Sequence, residues 1–154
     1  MFLAKLKNFA VSLFRKSPAD AMPVSHKTGL WGEKVAAKYL KKKGFNIIGT
    51  RVRQYQDEID IVAMCPSDDG NAGRLVFVEV KTRASDLFGG GMAAVDYRKR
   101  RALCRAAIHY LRKKPKVAFR FDVVEVIGKM DSDEPPTIRH HENAFPLDSR
   151  YHYQ

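Results

Sequence analysis

Long apolar runs are missing from this 154-residue chain. Its longest stretch free of Asp, Glu, Lys and Arg is nine residues, Leu87 to Val95, and three of those are glycines. A membrane-spanning helix needs about 20 mostly apolar residues, so stable insertion through such a helix is excluded. Cysteine is scarce as well. Cys65 and Cys104 lie far apart, make no CxxC knuckle and form no disulfide framework, which reads as free thiols in a reducing cytosol. No run of seven apolar residues follows Met1, so a cytoplasmic location is expected rather than secretion. Acidic residues are in deficit: 17 Asp plus Glu stand against 28 Lys plus Arg, for a formal net charge of +11.

What is present suits one globular domain. With 45% hydrophobic and 29% charged residues, the chain is neither disordered in composition nor too short for a core. The positive excess sits mainly in residues 28–127, with 20 basic and 11 acidic residues; from 128 onward the balance is three to five. Between Asp96 and Lys116 there are nine Lys or Arg and one acid, Asp96 itself. Such a concentration favours a polyanion (DNA, RNA or an acidic lipid surface) or marks a solvated helix face, and charge alone does not choose between them.

Periodicity divides the chain into an extension (1–27), a domain (28–145) and a tail (146–154). Phe2, Leu3, Leu6, Phe9, Leu13 and Phe14 recur at helical spacing among four cations. This is the pattern of an amphipathic helix lying on a membrane surface, on a partner or on the domain. A linker from Ser17 to Ser25 follows. Thr28 reads as the cap of a helix running to Lys43 and stopped by Gly44. Strands are expected over Phe45 to Arg53, Glu58 to Met64, Arg74 to Thr82 and Lys116 to Ile127, with a turn at Ser67 to Asn71. A second helix is expected from Met92 to Lys113. Beyond Gly128 the chain reads as irregular, apart from a short strand near Ile138. The order is therefore α-β-β-β-α-β.

The chemistry-bearing residues fall on the second and third strands. Period-two geometry puts Glu79, Lys81 and Arg83 on one face of the third strand, and Glu58, Asp60 and Val62 on one face of the second. An antiparallel hairpin centred between Asp69 and Gly70 sets Asp60 opposite Glu79, with Cβ atoms roughly 5 Å apart. Facing carboxylates destabilise a sheet unless a cation lies between them, and two on a rigid scaffold suit Mg²⁺ or a similar hard ion. Lys81 would then stand beside the metal, able to orient a water or neutralise a phosphate. The competing reading is a surface salt-bridge cluster; the apolar character of both strands speaks against it. Glu33 lies on the apolar arc of the first helix and needs a partner, either this site or a structural Arg. Lys99 lies within the apolar stripe of the second helix, while Arg98, Arg100 and Arg101 fan outward. Asp122 reads as a structural partner of a basic residue, and the histidines make no zinc set.

Together these residues are familiar. Gly32-Glu33, then Glu58-Ile59-Asp60-Ile61-Val62-Ala63, Phe77-Val78-Glu79-Val80-Lys81-Thr82-Arg83, Lys99, Arg120-Phe121-Asp122 and Glu142-Asn143-Ala144-Phe145 resemble the YraN family over about residues 28–145. That family is regarded as related to archaeal Holliday-junction resolvases within the PD-(D/E)xK nuclease superfamily. The resemblance implies a restriction-endonuclease-like α/β core with a mixed central sheet flanked by helices. It also implies Asp60 and Glu79 as ligands of Mg²⁺ or Mn²⁺, Lys81 as the catalytic lysine and Glu33 as an auxiliary acid. Asp57 departs from the family pattern, which usually has Gly there, and adds negative charge near the site.

The expected activity is endonucleolytic hydrolysis of DNA, in particular branched or structured DNA. Arg83, Arg98, Lys99 and Arg101 would hold the backbone by shape rather than base sequence, and a homodimer is the expected form if cutting is symmetric. The alternatives are a non-catalytic nucleic-acid-binding or recombination accessory protein, and a membrane-associated adaptor acting through residues 2–16.

Overall fold

The computed structural model describes residues 22–66, 73–85, 96–114 and 116–152. Seven elements follow one another: α1 (Val24–Lys42), β1 (Asn46–Gln54), β2 (Asp57–Met64), β3 (Leu75–Arg83), α2 (Tyr97–Leu111), β4 (Phe119–Ile127) and β5 (Thr137–Phe145). The strands form one mixed sheet in chain order. The β1–β2, β2–β3 and β4–β5 pairs are antiparallel, and β3–β4 is parallel. A parallel pair needs a crossover connection, and α2 lies on it.

The expected element order is present, and a fifth strand extends it. β5 occupies nine residues where only a short strand was expected, pairing with β4 alone at the edge of the sheet. The helix expected from Thr28 starts earlier, within the linker expected over Ser17 to Ser25. α1 begins at Val24, because Pro23 fixes φ at −53° and its carbonyl accepts from the His26 and Lys27 amides. Thr28 therefore lies inside the first turns, its hydroxyl donating to the Val24 carbonyl rather than capping. Gly44, at φ 87°, ends the helix and donates its N–H to the Lys41 carbonyl, a conformation that glycine adopts without strain. The 2–16 segment and the Ser67-to-Asn71 turn lie outside the described residues, as do Met92 to Val95; α2 proper starts at Tyr97, capped by the Asp96 side chain accepting from the Arg98 amide. Leu147 and Tyr151 of the expected tail pack against the core.

The sheet is buried on both faces by a helix on each. Ala36 and Leu40 of α1 meet Ile61, Ala63, Val76, Val78, Val124 and Val126. On the other face Leu103, Cys104, Ala107, Ile108 and Leu111 of α2 meet Ile59, Val62, Leu75, Phe77, Phe121 and Val123. The fully apolar run Leu75–Val78 follows from this two-sided burial. Gly32 sets how closely α1 approaches: a Cβ there would run into Thr82 Oγ1 of β3. No helix among the described residues is long and apolar enough to cross a membrane.

Candidate active site

β2 and β3 pair in the expected register, Ile61 opposite Val78 through Met64 opposite Leu75, and the pairing stops there. Asp60 and Glu79 are the next residues on each strand. At Asp60 the alternation of β2 breaks: Ile59 packs on the α2 side and Ile61 on the α1 side. The expectation that Glu58, Asp60 and Val62 share one face, which would leave Ile59 and Ile61 together on the other, is thus corrected. Between the flanking pairs Thr50–Ile61 and Val52–Ile59, Arg51 of β1 takes φ 52°, a local irregularity that lets both strands change face. The Asp60 carboxylate fills the gap that results, its Oδ2 accepting from the Val80 N–H at 2.8 Å. A side chain thus takes the place of a ladder carbonyl.

The parted strand ends open into a cavity of about 460 Å³. Glu33, Asp60, Glu79, Lys81 and Lys99 all line it, with Val24, Ser25, Thr28 and Gly29 at the start of α1 supplying part of the wall. Gly32 brings α1 against Thr82, and the next residue, half-buried Glu33, is thereby held over the sheet. Glu79 is 2% exposed. Its Oε1 receives Lys81 Nζ at 3.0 Å and lies 3.6 Å from Lys99 Nζ. Its Oε2 is buried without a hydrogen-bond partner among the described residues, a costly state for a carboxylate oxygen.

Burial pushes the Asp60 carboxyl up to about 7, helped by the neighbouring Glu79 charge and opposed by the Val80 N–H and by Lys99. Burial likewise raises Glu33, against the opposing charge of Arg51. The cavity therefore concentrates carboxylates in a place that penalises their charge, the arrangement that favours cation capture. Among the described residues no group of three or more His, Cys, Asp and Glu stands ready as a metal cluster. Mg²⁺ does not require one, since it is held by one or two carboxylates with water and substrate phosphates. The hard oxygen donors of Asp60 and Glu79, with the orphaned Glu79 Oε2, fit such an ion.

Not every expected residue converges. Arg83, Arg98 and Arg101 do not line the cavity. Arg101 instead stacks its guanidinium over the Tyr97 ring at 5.7 Å, beside Phe145 and Asp148 in a separate groove. Asp57 also stands apart. Its carboxylate is bound at both oxygens by Arg105 of α2, at 2.7 and 2.8 Å, so its charge is neutralised away from the cavity. Asp122 is fully buried and structural, taking Arg120, the His140 ring and the Asn143 N–H. Against the cost of burial, these bonds hold its carboxyl below the ordinary range. Arg51, whose charge acts on Glu33 from outside the cavity lining, was not anticipated, and nothing in the alternation of β1 marks it.

Residues 32–126 match the family model described as uncharacterised protein family UPF0102. The chain is 39% identical over 126 residues to a UPF0102 protein of Clostridium acetobutylicum, covering 80% of this chain and 98% of that one. It is 41% identical over 124 residues to one from Syntrophomonas wolfei, covering 79% and 100%. A Porphyromonas gingivalis relative is 38% identical over 120 residues, covering 77% and 84%. This chain belongs to the UPF0102 family. The matched segment contains Glu33, Asp60, Glu79, Lys81 and Lys99, the titratable residues of the cavity, while β5 and the cavity wall from the start of α1 fall outside it.

Proposed function

We propose that this UPF0102 protein is a metal-dependent endonuclease that hydrolyses phosphodiester bonds in branched or otherwise structured DNA. In this reading its sheet is a restriction-endonuclease-like core of the PD-(D/E)xK kind, and it works in the cytoplasm. One observation carries the reading: Asp60 and Glu79 meet at the point where β2 and β3 part, in one cavity with Lys81, Lys99 and Glu33. The excess of basic residues around it supports a polyanionic substrate.

Asp60 and Glu79 would hold Mg²⁺ or Mn²⁺. When bound, such an ion supplies charge stabilisation at the scissile phosphate and makes water a stronger acid. Lys81 donates one of its three N–H groups to Glu79 Oε1, which leaves two to contact a phosphate oxygen or an attacking water. Lys99 approaches the same oxygen from α2 and holds a second positive charge at the cavity, suited to the added charge of a pentavalent phosphate. Glu33, raised by burial, would hold or release a proton on the α1 side.

The test is incubation of purified protein with branched, single-stranded and linear DNA in Mg²⁺ or Mn²⁺. Cleavage of the branched substrate is expected, falling at least 10²-fold in Lys81→Ala; cleavage unaffected by that substitution would mean another site or a contaminant. A second reading, a nucleic-acid-binding accessory protein without catalysis, draws on the two amines at Glu79, which already offset its charge without a metal. It requires salt-sensitive DNA binding unchanged in Asp60→Asn and Glu79→Gln, with no cleavage by the wild type.

A further inference from the structure

α1 carries five lysines, Lys27, Lys34, Lys38, Lys41 and Lys42, and one acid, Glu33. Three of them line a groove of about 350 Å³ between α1 and β1, together with Arg51. Glu33 lines both this groove and the acid cavity, so the two adjoin at one side chain. It is also the one carboxylate in the groove lining.

We propose that this groove seats the sugar–phosphate backbone of a nucleic-acid strand, gripped by Lys34, Lys38 and Lys41, and leads it to the acid cavity. The inference rests on the nuclease reading and adds the track by which the substrate arrives. Lys34, Lys38 and Lys41 fall within about 60° of arc, spread over roughly 10 Å of helix, the axial rise of about three phosphates on one strand. Like charges spaced this way destabilise a helix, and none of the three has an ion-pair partner among the described residues. An incoming row of phosphates would relieve that repulsion. Leu30 and Ala37 give the groove an apolar wall suited to the sugar face. Arg51 adds positive charge, although its guanidinium also pairs with Glu58 at 3.2 Å. A concave groove beside a cleft suits a strand better than a flat anionic bilayer.

The test is fluorescence anisotropy with labelled single-stranded and branched oligonucleotides and the full chain in chelator, so that binding is read without cleavage. Joint replacement Lys34→Gln, Lys38→Gln and Lys41→Gln should weaken binding at least tenfold near 0.1 M salt. It should also lower the salt slope by about 2 to 3, near one per phosphate contact. The matching triple Lys→Arg variant should bind as the wild type does. The same loss from Lys113→Gln, Lys114→Gln and Lys116→Gln, beyond the far end of α2, would reduce the effect to bulk charge and overturn the proposal. So would an unchanged slope in the groove variant, or wild-type protein that binds phosphatidylserine vesicles and no oligonucleotide. Failure of the nuclease reading appears separately, as absent cleavage in Mg²⁺ with groove-dependent binding intact.

Discussion

Asp60 shows how one side chain can serve the sheet and the cavity at once. It accepts the Val80 amide in place of a strand neighbour, and burial holds its carboxyl up at about 7 against 3.8 for the exposed acid. Folding therefore favours the protonated form. For this group, stability is fully present below about pH 4 and is lost as pH rises through 7. In chelator, the melting temperature of the wild type should fall between pH 5 and pH 8. Asp60→Asn keeps an acceptor for Val80 and should flatten that slope, melting above the wild type at pH 8. Equal slopes in the two proteins would assign the pH dependence elsewhere. At this scale the sequence was informative: like charges facing each other in two apolar strands have few structural uses, and Asp60 and Glu79 do share a cavity. The face change at Asp60 was not legible, because the left-handed conformation of Arg51 that accompanies it has no glycine or asparagine to signal it.

At the scale of elements, the contact between α1 and β3 fixes where Glu33 lies. Helix propensity alone would favour Gly32→Ala by about 1 kcal/mol, but the added methyl meets Thr82. Overpacking should make the net effect a destabilisation on the order of 2 kcal/mol by denaturant unfolding. Adding Thr82→Ala removes the obstructing oxygen and should restore part of the loss; strict additivity in the double variant would show that the two residues do not couple. β2 and β3 were readable because their apolar runs flank a strong turn signal in the sequence, which fixes the register. β5 was not, since TIRHHENAF is mostly polar. It holds its place through His140 and the Asn143 amide on buried Asp122, and through His141 on buried Glu125. Those bonds depend on β4 being adjacent, which no local pattern reveals. The start of α1 was missed for a related reason: a threonine suited to capping lies inside a helix that begins after a proline.

The whole molecule is a sheet with two separate cores, and its cysteines fall on opposite sides. Cys104 is buried in the α2 core, Cys65 packs half-buried against the α1 core, and both are free thiols. A bridge would have to pass through the sheet, so none can close within the folded chain. Protein purified without reductant should yield two thiol equivalents on titration in denaturant, and its melting temperature should not respond to reductant; one equivalent or none would contradict this arrangement. The same division places the basic residues of α1 and α2 on different faces, with the acid cavity between the start of one helix and the start of the other. Charge composition raised the expectation of a polyanion partner but could not assign the basic residues to faces, since helix position relative to the sheet depends on contacts such as Gly32 against Thr82.

The parting of β2 from β3 has a spectroscopic consequence. From Leu75 to Val78 the β3 amide protons are shielded by neighbouring strands, whose separation requires broad unfolding. The Val80 proton is shielded by a single carboxylate that gains or loses charge near neutrality. Its exchange rate and chemical shift therefore make it a built-in gauge of the charge on Asp60, one backbone resonance that reports on the cavity from inside the protein.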